Sequence, residues 1–219
     1  DKEGSCSFPQ LLNDICARKE KFRLRFMTSN PKDFGPDLIR AIAENKQVCN
    51  LVHLPVQAGS DRILRLMNRK YTAEEYLKKV EALRAAVPDC QITSDIMVGF
   101  PTETEQDFCE TLELVKRFST AFTFVYSPRS GTRAAVMEGQ ISEEVKKERI
   151  MRLVELVNSQ TRELSAGYRG KTIELLCEDY DAKRGLYLGR DEYGRMGYFK
   201  SDTDKIGQFV RFRVSETSG

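Results

Sequence analysis

Hydrophobic positions along the chain follow two rhythms that change over near Tyr168. Up to that point, apolar residues at helical spacing alternate with short apolar runs. Leu11, Leu12 and Ile15 predict a helix over 7–21, and the alternation in RLRFMTS predicts a strand over 23–29. Asn30-Pro31 stops that strand, because the residue before proline is pushed to extended geometry. Leu38, Ile39 and Ile42 mark a helix over 36–47 with Pro36 in its first turn. A strand over 51–57 then runs into the turn Ala58-Gly59-Ser60-Asp61 and a short helix carrying Ile63, Leu64, Leu66 and Met67. Thr72 and Glu75 are spaced as a capping box for a helix that ends near Pro88.

Residues 91–98 form a mostly apolar run, as a buried parallel strand requires. Thr102 and Glu105 suggest a second capping box, ahead of a helix with Phe108, Leu112, Leu114 and Val115. A strand is predicted over 122–127. Residues 142–167 read as one long charged helix with Ile150, Leu153, Val154, Leu156 and Val157 as its stripe, stopped by Gly167 and Gly170. Beyond it the period shortens to two, in TIELLCED, RGLYLGRDE, MGYFKSD and GQFVRFRVSE. The pattern predicts an α/β unit with a parallel sheet over 1–141, a linking helix over 142–167 and a small all-β barrel of oligonucleotide-binding type over 168–219.

Composition narrows this little. The 219 residues are 40% hydrophobic and 31% charged with a net charge of +2, which is ordinary for a soluble chain and does not by itself indicate a nucleic-acid partner. No apolar run is long enough to span a bilayer and no signal peptide opens the chain, so no membrane partner is expected and the cytoplasm is the default compartment. Cys6, Cys16, Cys49, Cys90, Cys109 and Cys177 lack the close pairing of a zinc or iron–sulfur ligand set and read as small hydrophobes.

Candidate chemistry lies at three strand ends. Along 51–57, His53, Pro55 and Gln57 share one face. Gln57 either hydrogen-bonds a ligand group or caps its own turn. Asp95 is the one charge in an apolar strand, so it belongs to a polar site or anchors the structure. Gly99 permits a sharp turn beside a ligand, without the spacing of a dinucleotide or phosphate loop. Ser127, Pro128 and Gly131 make a tight exit from the last strand, followed by Arg129 and Arg133 as anion-binding or merely solvated arginines.

Taken together, LPVQAGSDRIL, MNRKYTAEEY, SDIMVGFPTETEQDF, FVYSPRSGTRAA and KKERI resemble the tRNA methylthiotransferases (MiaB-type) of the radical S-adenosylmethionine superfamily, from about Arg25 to the chain's end. Ala58, Thr102 and Arg133 depart from the residues usual there: serine, glycine and proline. The resemblance implies an incomplete (β/α) partial TIM-like barrel followed by a TRAM domain. It also implies a fragment of a longer enzyme, because the cluster-binding CxxxCxxC motif and the N-terminal cysteines of such families are absent from this chain. Such an enzyme uses S-adenosylmethionine and two 4Fe-4S clusters, with a reducing electron donor. A 5′-deoxyadenosyl radical activates carbon 2 of N6-isopentenyladenosine beside the tRNA anticodon, where a methylthio group is inserted.

On this resemblance Gln57, Asp95 and Gly99 line the ribose and amino-acid side of S-adenosylmethionine, and Ser127 and Gly131 lie at its adenine. The β-module grips the anticodon stem-loop through cations interleaved with aromatic rings, chiefly Lys171, Arg190, Arg195, Lys200 and Arg211. The fragment itself is expected to be inactive. Two other readings stay open: a sister enzyme that modifies an aspartate of a ribosomal protein, and a non-catalytic RNA-binding module.

Overall fold

The computed structural model describes residues 6–27 and 30–217. Three parallel strands form the first sheet in the order β1-β2-β3: β1 (Leu51–His53), β2 (Gln91–Val98) and β3 (Thr120–Val125). Helices α1 (Phe8–Cys16), α2 (Pro36–Glu44), α3 (Asp61–Leu66), α4 (Ala73–Ala86) and α5 (Glu105–Val115) precede or connect the strands. Val52, Leu54, Ile92, Ile96 and Val98 are buried together with Tyr76, Leu83 and Phe108 from the helices, forming one continuous core. Each such aliphatic side chain contributes roughly 1.5–3 kcal/mol through burial.

The 24-residue helix α6 (Glu143–Ala166) is capped by Ser142 and lays Leu153 and Val157 into that core. Val154 faces outward instead of joining the stripe, while Lys146 and Arg149 take up buried positions. After α6 comes an antiparallel sheet of four strands in the order β6-β5-β4-β7: β4 (Thr172–Asp181), β5 (Leu186–Arg190), β6 (Met196–Phe199) and β7 (Phe209–Arg213). A register shift between Cys177 and Asp179 helps to curl it.

Several boundaries depart from the sequence pattern, each for a local reason. Helix α1 stops at Cys16 rather than Lys21; past it, Lys21 and Arg23 are drawn to Glu174 of β4. Helix α2 likewise ends at Glu44, short of 47. The strand expected over 23–29 shrinks to one parallel bridge between Leu24 and Val48, and Thr28 and Ser29 lie outside the described residues. The first sheet therefore has three strands rather than four. Strand β1 ends at His53 because the Ser94 side chain, rather than a β2 carbonyl, takes the Val56 N–H; Gln57 rejoins β2 through an isolated bridge to Ile96. Strand β3 begins and ends two residues earlier than expected, at Thr120 and Val125. The second capping box belongs to Thr104 and Asp107; Thr102 sits at φ 68°, a left-handed geometry that an extended N-cap does not use.

Of the cysteines, Cys16, Cys49, Cys90 and Cys177 are buried, and burial raises their thiol pKa values, Cys90 to about 12. They are packing residues with little thiolate character. No helix among the described residues is long and apolar enough to cross a membrane.

Candidate functional site

The site is assembled at the C-terminal ends of the parallel strands, where α/β sheets place ligands. Where β1 leaves the ladder, three side chains satisfy its backbone. Ser94 Oγ donates to the Leu54 carbonyl and accepts from Val56 N–H, both at 3.0 Å. The Tyr76 hydroxyl donates to the Leu54 carbonyl at 2.8 Å, and that of Tyr71 to the Val56 carbonyl at 3.1 Å. Gln57 is thereby held at φ 80°, with its N–H on the Asp95 carbonyl (2.9 Å) and its own carbonyl accepting from Met97 N–H (2.9 Å).

The turn that follows is pressed against α5. A Cβ added to Gly59 would lie 2.6 Å from Thr111 Cα, and Gly59 N–H donates to Thr111 Oγ1 at 2.9 Å. Beside it, the buried Asp107 carboxylate accepts from Ser60 Oγ (2.6 Å), the Arg62 guanidinium, and both the N–H and hydroxyl of Thr104. Burial works against this carboxylate, but those donors outweigh it and hold it well below the usual range. One carboxylate thus ties the turn after β1 to the turn after β2.

Gly99, at φ 76°, is roofed by α6: an added Cβ would meet Lys146 Cγ at 2.5 Å. Its N–H donates to Glu103 Oε2 (2.8 Å), which also accepts from Arg149 Nη1 (2.8 Å). Burial outweighs these partners and raises the Glu103 pKa. Next to this loop Phe100 packs edge-on against Tyr126, whose buried hydroxyl has no hydrogen-bond partner among the described residues.

The opposite face of the sheet carries the chain's one histidine. His53 Nδ1 lies 3.0 Å from Thr93 Oγ1, and Nε2 lies 3.5 Å from Asp95 Oδ1, with Phe122 edge-on to the ring. His53 and Thr93 are register partners across β1 and β2, and Asp95 and Phe122 across β2 and β3. Asp95 is accordingly a partly exposed carboxylate, 27% open to solvent, beside the histidine ring rather than a fully buried one.

Four of the five predicted site residues fall into two neighbouring pairs. Gln57 adjoins Asp95, and Ser127 follows Tyr126, whose N–H bonds the Val98 carbonyl next to Gly99. Gly131 stands apart in the exit loop, at φ 80° with open space around it. On the antiparallel sheet, Lys171 and Lys200 are exposed. Arg211 is exposed and pairs with Glu174 at 3.1 Å. Arg190 pairs with Glu178, and Arg195 is held by Asp191 with its guanidinium 3.5 Å from the Tyr168 ring centroid and 4.5 Å from that of Tyr193. The last two therefore spend their charge inside the molecule.

Sequence reasoning missed the polar scaffold of Asp107, Arg62, Glu103, Lys146 and Arg149. A signal for part of it was present: Thr104 and Asp107 have capping-box spacing, and Lys146 and Arg149 interrupt the apolar stripe of α6.

The Radical SAM superfamily profile matches residues 7–115, which spans α1 through α5. The same fold is found in coproporphyrinogen III oxidase from Escherichia coli, a radical SAM enzyme, with a TM-score of 0.52 at 18% identity over 86% of this chain and 43% of that one. The profile match, over just under half of the chain, is to the radical SAM superfamily.

The whole chain, antiparallel sheet included, is similar to curated tRNA-2-methylthio-N(6)-dimethylallyladenosine synthases. Identity is 45% to that of Aquifex aeolicus over 100% of this chain and 50% of the relative. It is 44% to that of Acetivibrio thermocellus, over 95% of this chain and 44% of the relative. For Thermoanaerobacter pseudethanolicus it is 45%, over 99% and 47%. The chain spans about half the length of these relatives.

Proposed function

We propose that this chain is part of an enzyme that adds a methylthio group to carbon 2 of N6-isopentenyladenosine beside the tRNA anticodon. The observation that carries this reading is similarity to the synthases along the whole chain, through both sheets and the helix between them. In this reading residues 1–141 are the later part of a radical SAM barrel, 142–167 the linking helix and 168–219 a TRAM-type module, working in the cytoplasm with a reducing donor.

The residues fit the reading unevenly. Among the described residues no group of three His, Cys, Asp or Glu side chains is placed to hold a metal, so this chain does not fit an iron–sulfur cluster and no step through one is assigned to it. The strand ends fit S-adenosylmethionine better. Gln57 and the partly exposed Asp95 offer a donor and an acceptor; Gly99 and Gly131 turn their backbones at positive φ; and Tyr126, which precedes Ser127, has a buried hydroxyl with no hydrogen-bond partner among the described residues. S-adenosylmethionine supplies the radical chemistry and the methyl group when bound. This chain's own residues orient its ribose and amino-acid portion through Gln57, Asp95 and the Gly99 turn, with Ser127 and Gly131 at the base. Lys171, Lys200 and Arg211 face the tRNA phosphates, and Arg190 and Arg195 shape the surface that carries them.

The test uses the product of the whole parent gene, assembled anaerobically and given tRNA that bears N6-isopentenyladenosine. Mass spectrometry of digested tRNA should show the 2-methylthio nucleoside. Gln57→Ala should raise the KM for S-adenosylmethionine about fivefold, the worth of one hydrogen bond. Absence of methylthiolated tRNA with fully assembled protein refutes the proposal.

A further inference from the structure

A cleft of about 500 Å³ opens between the segment after α1, the turn before β1, and the antiparallel sheet. Lys19, Lys21, Arg23, Lys46 and Arg211 line it, against Glu20, Glu174 and Glu192, so its walls carry a surplus of two positive charges. Phe209 forms part of its floor, with Lys21 Nζ 4.1 Å and Arg23 Cζ 5.0 Å from the ring centroid. Three of the cations crowd one carboxylate: Lys21 and Arg211 each approach Glu174 at 3.1 Å, and Arg23 at 3.8 Å. Lys21 and Arg211 keep 62% and 76% of their side-chain surface in solvent, so both can turn to a second anion.

We infer that this cleft is a binding site for the phosphodiester backbone of RNA, with Glu174 acting as an internal anion that the RNA phosphates compete with for Lys21 and Arg211. The inference rests on the tRNA reading above and adds a surface to it, since Lys19, Lys21 and Lys46 come from the α/β part and not from the antiparallel sheet. Several cations beside an aromatic ring suit a polyanion with stackable bases. Glu174 stands where a phosphate would sit, so it lowers affinity while keeping the empty cleft from collecting unspecific anions. A purely structural Glu174 would have no such effect.

The test measures binding of an unmodified full-length tRNA transcript to this chain by fluorescence anisotropy across a salt series. Lys21→Gln/Arg211→Gln should weaken binding about tenfold at ~0.1 M salt and flatten the slope of log affinity against log salt by about 1–2, the loss of two phosphate contacts. Glu174→Gln should tighten binding severalfold. Lys183→Gln/Lys205→Gln, on turns away from the cleft, should act more weakly, and thermal melts should confirm that each variant is folded. If the chain binds tRNA but the cleft variants match the wild type, or Glu174→Gln weakens binding, the cleft inference fails and the tRNA reading stands. No binding at low salt overturns both. Equal competition by a poly-glutamate of matched charge would assign the cleft to an acidic protein partner and overturn the inference.

Discussion

Asp107 concentrates more of the site's order than any residue that points toward a ligand. Its carboxylate draws together Ser60 and Arg62 from the turn after β1 and Thr104 from the turn after β2. Its pKa is lowered in the folded protein, so its contribution to stability is complete above the unfolded value of ~4 and is withdrawn as the pH falls below it. Asp107→Asn should therefore cost about 2–3 kcal/mol at pH 7, the range for charge-assisted hydrogen bonds, and clearly less at pH 3. Urea unfolding of both proteins at the two pH values checks this; a gap independent of pH contradicts it. His53 gives a second residue-scale expectation. A carboxylate only accepts, so the ring proton belongs on Nε2 facing Asp95, with Thr93 donating to Nδ1. Because the chain has one histidine, its ring nitrogens can be read directly by ¹⁵N NMR, and Thr93→Val should disturb that tautomer while Phe122→Leu leaves it in place.

At the scale of elements, the break in β1 shows how distant residues decide a boundary. Ser94 replaces the ladder partner of Val56 N–H, and Ser94→Ala would leave that buried donor unpaired, at about 1–3 kcal/mol. Gly59→Ala should cost at least that, because the new methyl meets the backbone of α5, which cannot rotate away as a side chain can. Denaturant midpoints measure both; a Gly59→Ala protein as stable as wild type would show that α5 is free to shift. The same elements show what the sequence made legible. Strand β2 and the Thr72 cap were readable because their signals are local: a short segment with Ile92, Ile96, Met97 and Val98 that ends at a glycine turn, and a hydroxyl three residues before a carboxylate. Gln57 and Gly99 were readable as candidates because each ends an apolar run at a turn. The early end of β1 was not, since it depends on Tyr71, Tyr76 and Ser94 reaching across the core. Nor was the strand over 23–29: its alternation is right for a strand, but pairing occurs only at Leu24, and the arginines on either side of Leu24 face another sheet altogether.

Those arginines set the arrangement of the whole molecule. Arg23 donates to the carbonyls of Glu174 and Arg190 at 2.7 Å each, and Arg25 to the carbonyl of Asp191, so one extended segment grips both β4 and the end of β5 by their backbones. Tyr168 adds a hydrogen bond with Gln91 (3.1 Å) at the start of β2. Helix α6 runs from the Gly99 turn, where Lys146 packs, to this junction, a length of ~36 Å at about 1.5 Å per residue. The antiparallel sheet is thus fastened at the N-terminal ends of the parallel strands, opposite the candidate S-adenosylmethionine site. On the proposed reading, an RNA held at the junction would have to reach the strand ends across that distance, which calls for a stiff joint. Replacing Arg23 with alanine removes two charge-assisted bonds to backbone carbonyls, while leaving each sheet's own ladder intact. Arg23→Ala should therefore uncouple the sheets: a single melting transition should broaden or split, and hydrogen exchange should rise in β4 and β5 before it rises in β2. Arg23→Lys can keep only one of the two bonds and should fall between. If the transition stays sharp and exchange in β4 and β5 is unchanged, the joint is carried by Tyr168 and the packing around it, and Gln91→Ala becomes the variant that should split the melt.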